Sequence, residues 1–214
     1  MMNRRLGFAS AFAAIIAGVS AMPVSAAIYR VLPPANDVMP GVTYPMRVEA
    51  ETQAGDNVVG TGFFSFAIDL TVSGDAGATG SDISNVLLNE ADFDDLFGNS
   101  PGHAMGDQYV DIAGVTSNFL APTFGHLSGD KTWLFDFNFT VPPSALLNQT
   151  ITLTPSEGAF ENLIVNDAFD SVMPQLFEPA TLTVVPEPVT PLLLTVGLVL
   201  CVSAGRLSSD TVTP

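Results

Sequence analysis

Gly98-Asn99-Ser100-Pro101-Gly102 has the G-x-S-x-G spacing of a nucleophilic serine, and His103 and His126 follow it. That spacing sets serine on a sharp turn, where the N–H of the next residue helps hold an oxyanion. Here the next residue is Pro101, which has no N–H to give. The segment is therefore read as a surface turn. The two histidines stand alone, whereas zinc asks for three or four N, S or O ligands at workable spacing. Glu90-Ala91-Asp92-Phe93-Asp94-Asp95 is the densest acidic cluster. Calcium takes several hard oxygen ligands, so Asp92, Asp94 and Asp95 are the candidate metal ligands. Leu96 and Phe97 stand where an EF-hand would place an acid and its turn glycine. The same acids also suit the start of a helical turn, where the macrodipole favours negative charge. Both readings stay open, and no cofactor besides calcium is expected. Asp69 and Asp136 fall mid-strand, opposite the aromatics. Glycoside hydrolysis uses such a pair of carboxylates, but an acidic β protein carries such pairs by chance. No catalytic residue and no enzyme activity are expected.

These residues must be positioned by strands. Val42–Glu51 alternates, with Val42, Tyr44, Met46, Val48 and Ala50 against a polar set. Period two is the signature of a half-buried strand. Pro45 cannot donate to a ladder, which asks for an edge or a bulge there. Phe63–Ser73 places Phe64, Phe66, Ile68, Leu70 and Val72 on one face. Lys131–Val141 places Trp133, Phe135, Phe137, Phe139 and Val141 on one face, with Leu134, Asp136, Asn138 and Thr140 opposite. Trp133 could serve as a sugar platform, but its period assigns it to the core. Only an exposed cluster of Tyr29, Tyr44 and Tyr109 would support sugar binding. Ile83–Leu88, Gln108–Ala113, Thr150–Thr154, Ala159–Val165 and Thr181–Val185 are shorter strands between turn signals. Glu90–Phe97 is the one expected helical turn. Eight or nine short strands with frequent turns predict an all-β fold, an antiparallel β-sandwich or jelly roll. Parallel α/β sheets need long helical patterns between strands, and none occurs.

The chain has 214 residues, with 6 Lys+Arg against 22 Asp+Glu. Phosphate backbones are bound by Lys and Arg releasing counterions, so nucleic acid is excluded as a partner. One cysteine, Cys201, rules out an intrachain disulfide framework. At 47% hydrophobic and 13% charged, the body can bury a core and is not a disordered chain.

Both ends read as addresses. Arg4 and Arg5 precede the apolar stretch Leu6–Val19, and Val24-Ser25-Ala26 supplies small residues before a cut after Ala26. This is the layout of a secretory signal peptide. At the other end, Pro186-Glu187-Pro188 precedes 17 mostly apolar residues, Val189–Gly205, and then Arg206. As a helix this run reaches roughly 26 Å, close to a hydrocarbon core of about 30 Å. The arrangement resembles the PEP-CTERM sorting signal of Gram-negative bacteria. That resemblance implies a membrane transpeptidase, an exosortase, which cuts near the motif and releases or re-anchors the protein at the surface. Family members usually end in a basic cluster, whereas Arg206 stands alone before the polar tail Leu207–Pro214. Gly62–Leu70, the Ile-Ser-Asn-Val-Leu-Leu segment and Trp133–Val141 also resemble, as pattern, the cohesin-like and carbohydrate-binding-module sandwiches of bacterial surface proteins.

The expected organisation is a signal peptide over 1–26, a β-sandwich over 27–185, a sorting signal over 186–206 with a transmembrane helix over 189–205, and a polar tail over 207–214. Between the addresses, Ala27–Pro188 holds 21 acids and 3 bases, Arg30, Arg47 and Lys131, a net −18. The function expected is structural or adhesive and non-enzymatic, at the cell surface or in the extracellular matrix. Its partners would be the export machinery, the exosortase and extracellular polysaccharide, with the membrane held by the C-terminal helix before processing. A carbohydrate-binding module is the alternative, and a secreted acidic hydrolase ranks third.

Overall fold

Apolar residues at every second position form strands, and the strands pair so that their apolar sides meet. The computed structural model describes residues 26–95, 98–117, 125–158, 165–166, 172 and 175–187. The strands are β1 (Ala27–Leu32), β2 (Asp37–Val38), β3 (Thr43–Glu51), β4 (Phe63–Gly74), β5 (Ile83–Leu88) and β6 (Ser100–Met105). They continue with β7 (Gln108–Val115), β8 (Lys131–Thr140), β9 (Thr150–Glu157), β10 (Val165–Asn166), β11 (Gln175–Glu178) and β12 (Ala180–Val184). The described helix is one 3-10 turn, Gly80–Asp82.

One sheet runs β11-β1-β3-β8-β5, and the other runs β2-β12-β9-β4-β7-β6, with β10 paired to the start of β4. Pairing is antiparallel except at β1·β11 and β12·β2. The fold is therefore an all-β sandwich, as the alternation predicts. The expected signal-peptide and C-terminal helices lie outside the described residues.

The core lies between the sheets. Tyr29, Val48, Phe135, Phe137 and Phe139 from the five-stranded sheet meet Phe66, Ile68, Leu70, Ile112, Ile151 and Leu182 from the other. Phe66 stacks across the gap on Phe135, with centroids 6.1 Å apart, and meets Phe93 edge-on at 4.8 Å. Pro45 is accommodated because β1 ends opposite Arg47, so β3 is a free edge at Pro45 on that side.

Of the residues expected on the apolar faces of Phe63–Ser73 and Lys131–Val141, Trp133 and Phe64 are not buried. The cause at Trp133 is a β-bulge. Glu49 pairs with Trp133 while Val48 pairs with Phe135, so Leu134 is the extra residue. The bulge inverts the phase of the strand before it. Thr132 and Leu134 turn inward, and Trp133 turns out. An extra residue leaves ladder groups unpaired, and Asn89 takes them up. Its backbone N–H donates to Leu134 O at 2.9 Å, and its side-chain amide donates to Trp133 O at 2.8 Å and to Asp92 Oδ2 at 2.8 Å.

Other expectations are also corrected. Among the described residues of Glu90–Phe97 there is no helix but a turn, closed by the Phe93 N–H on Asn89 O at 2.9 Å. Leu96 and Phe97 lie outside the described residues. Ser100 stands in a strand, β6, rather than in a surface turn. In Ala159–Val165, the described part is Val165, in β10.

Tyr29 is fully buried, and its hydroxyl has no hydrogen-bond partner among the described residues. Burial, with Asp56 and Glu157 nearby, pushes its ionisation well above the ordinary tyrosine range. Removing an unpaired buried hydroxyl removes its desolvation penalty. Tyr29→Phe is therefore expected to leave stability unchanged or raise it by up to about 1 kcal/mol, read as a higher midpoint in urea denaturation.

Candidate binding interface

Outward positions on the five-stranded sheet come from alternate residues of neighbouring strands. The β1–β3 and β3–β8 registers bring Leu32, Arg47 and Asp136 into one row, and Leu87 of β5 pairs with Asp136 to extend it. A second row holds Glu178, Arg30, Glu49 and Trp133. All three bases of the body lie on this face. Arg47 grips Asp136 with two bonds, Nε to Oδ1 at 2.7 Å and Nη2 to Oδ2 at 2.9 Å. Its guanidinium also lies over the Trp133 ring, 5.1 Å from the centroid. Arg30 Nη2 meets Glu51 Oε2 at 2.8 Å, and Lys131 Nζ meets the same oxygen at 3.0 Å. The hydrogen bond from Lys131, helped by the nearby Arg30 charge, holds the Glu51 carboxyl below its usual range.

Three bases stand here against Glu49, Glu51, Asp136 and Glu178, with Glu90 lining one of the grooves, so the net charge of this face is small. The body's remaining 16 acids are matched by no further base. Two open grooves of about 400 and 540 Å³ flank Leu87, which is 56% exposed. Leu32 and the Pro33-Pro34 pair wall the first, and Trp133 walls the second. Aromatic residues and arginine around aliphatic side chains are what protein interfaces favour.

The other expected chemistry is dispersed. Asp136 is outward on one sheet and Asp69 is on the far side of the other, so the two carboxylates do not share a cleft. Asp69 serves a second bulge, in β7, where Ile68 pairs with Ile112 but Leu70 pairs with Tyr109. Asp111 there has φ 62°, and its N–H donates to Asp69 Oδ1 at 2.9 Å. Burial raises the Asp69 carboxyl above the ordinary aspartate range. The hydrogen bond from Asp111 N–H opposes this, and the Asp111 charge adds to it.

A raised carboxyl means the folded state holds its proton more tightly than the unfolded chain, so this group adds stability as pH falls through its raised value. Asparagine keeps the acceptor without the charge. Asp69→Asn is thus expected to raise the melting temperature at pH 7, by a gain that vanishes once pH drops below the ordinary aspartate range. A melt series across pH checks it.

Ser100 Oγ accepts the Gly102 N–H at 3.2 Å, and His103 Nδ1 faces Asp111 at 3.6 Å. In the acidic cluster, Asp92 accepts from Thr132 Oγ1 at 2.6 Å, while Asp94 accepts from Ser117 N–H at 2.7 Å and Ser117 Oγ at 2.8 Å. Among the described residues no three His, Cys, Asp or Glu side chains are grouped to hold a metal. The tyrosines do not cluster. Tyr29 is in the core, and Tyr44 and Tyr109 pack against it. No aromatic is among the exposed large apolar residues described.

At the ends, Ala26 immediately precedes β1, and Pro186 and Glu187 are exposed just beyond β12. Pro188 and Arg206 lie outside the described residues. The sequence did not single out Arg30, Arg47, Leu32 or Leu87. The signal available was the strand Thr43–Glu51, whose alternation already put Arg47 on its polar side.

No protein-family model matches the chain, and no curated protein matches it. Several solved structures similar to it are cohesins. The sixth cohesin of scaffoldin B from Acetivibrio cellulolyticus is 12% identical over 75% of this chain and 100% of its own, with a TM-score of 0.48. The seventh ScaB type I cohesin from Pseudobacteroides cellulosolvens is 13% identical over 74% and 93%, at 0.47. A non-cellulosomal cohesin from the archaeon Archaeoglobus fulgidus is 16% identical over 77% and 94%, also at 0.47. At such identities and scores the likeness carries no argument about partners or residues.

Proposed function

We propose that this chain is an exported, surface-sorted β-sandwich that works by binding a partner protein rather than by catalysis. The outer face of the five-stranded sheet is its contact surface. One observation carries the reading: every base of a body with net charge −18 is gathered on that face, around Leu87 and Trp133. A protein partner meets a repelling acidic field elsewhere and a near-neutral, partly apolar surface here. A sugar would need a bare aromatic plane, and one face of the Trp133 ring is taken by Arg47.

Export and sorting rest on the two terminal signals in the sequence. Their placement supports the reading, because β1 starts directly after Ala26 and Pro186 follows β12 by two residues. Both cuts would leave every described strand intact. The test is the intact mass of the protein recovered from host membrane and medium. The expected product begins at Ala27 and lacks the apolar run after Pro188. A product retaining its C-terminus through Pro214 would remove the sorting signal and leave a plain tethered sandwich.

A further inference from the structure

The last described strand, β12, ends at Val184 beside the loop that joins β8 to β9. Asn148 N–H donates to Val184 O at 2.8 Å, and Val184 N–H donates to Gln149 O at 2.9 Å. The loop itself is braced. Leu146 N–H donates to Gln149 Oε1 at 2.6 Å, Ala145 N–H to Pro142 O at 3.0 Å, and Gln149 Nε2 to Asp75 O at 2.8 Å. At its tip Leu146 and Leu147 are 67% and 53% exposed. The strand registers also bring the β6–β7 turn to this end, with Met105 56% exposed.

Val189, where the apolar run of the sequence begins, lies five positions beyond Val184. Five residues reach at most about 17 Å. A braced pair of exposed leucines thus stands within one short stretch of the point where the chain turns apolar. Apolar side chains held at a membrane surface sink into the headgroup and acyl boundary. Tethering raises their effective concentration there, so weak intrinsic affinity is sufficient.

We propose that Leu146 and Leu147 form a tip that rests this end of the sandwich on the bilayer entered by Val189–Gly205. The inference depends on the reading that this run enters a membrane. It fixes the orientation of the anchored protein. Pro186 and Glu187 lie at the lipid surface, within reach of a membrane-embedded processing enzyme, and Ala27 points away. Among the described residues no base lies at this end and Asp37 and Asp75 do, so the lipid suited to it is zwitterionic.

The full chain in phosphatidylcholine vesicles tests this with an environment-sensitive label and a lipid-borne quencher. One sample is labelled at the native Cys201. Two others carry Cys201→Ser with either Leu147→Cys or Leu127→Cys. Leu127 is 68% exposed just before the start of β8, about 33 Å of strand from the tip's end. Matching far-UV spectra and melting temperatures establish that the labelled variants fold. The expected result is strong quenching at position 201 and several-fold stronger quenching at 147 than at 127. Quenching at 201 with 147 no stronger than 127 overturns the tip and leaves the anchor standing. No quenching at 201 overturns the anchor and the tip with it. A label at 147 shielded only at high protein concentration, without lipid quenching, would place a second copy on the leucines and overturn the lipid assignment.

Discussion

Asn89→Ala is expected to destabilise the sandwich by about 3 kcal/mol. It is also expected to shift Trp133 emission to the red. Asn89 is 1% exposed, and its amide serves Trp133 O, Asp92 Oδ2 and Thr132 Oγ1. Alanine leaves a buried carbonyl and a carboxylate without that donor, and an unmade buried bond costs more than a made one contributes. Trp133 is the sole tryptophan, so its emission reports on the bulge directly. Urea denaturation gives the stability, and the folded-state spectrum gives the bulge. A loss below about 1 kcal/mol with unchanged emission would mean that the bulge holds without Asn89.

Gly114→Val should cost about 3 kcal/mol or more, and it should disturb the near-UV aromatic signal. A Cβ at Gly114 would overlap Phe66 Cε1 and sit 3.1 Å from Phe93 Cβ. Phe66 has little room to move, because its ring is stacked on Phe135 of the opposite sheet and is edge-on to Phe93. The strain therefore passes between the two layers. Gly106→Ala gives a local comparison, since nothing lies within 4 Å of its Cβ position and its φ is +65°. It should cost roughly 1 kcal/mol through backbone conformation alone. Similar losses at the two sites would mean that the aromatic cluster repacks freely.

Much of the fold was legible because alternation in Phe66–Val72 and Phe135–Phe139 is strict, and both runs are buried as written. Trp133 was misplaced by the same rule. Alternation holds only while pairing is in register, and the interruption at Leu134 is bonded by Asn89, distant in sequence. β1 was not anticipated because Ile28 and Leu32 put apolar side chains on its outer face, which hides the period. β6 was hidden by Pro101 and Gly102, which are tolerated because it is an edge strand. The proposed binding face was hardly legible at all. Arg30, Arg47 and Lys131 are scattered in sequence, and only the order β1-β3-β8 gathers them.

The central claim is that this face holds the protein to a partner at the cell surface. Its most direct test is the fraction of the processed protein, identified by mass, that stays with host cells rather than entering the medium. Wild type is compared with an Arg47→Ala/Leu87→Ser double variant and with Thr71→Ala on the opposite sheet, all with matched melting temperatures. The account predicts that wild type and Thr71→Ala stay cell-associated while the double variant is released several-fold more. Equal retention of all three would contradict it and show that the face does not bind.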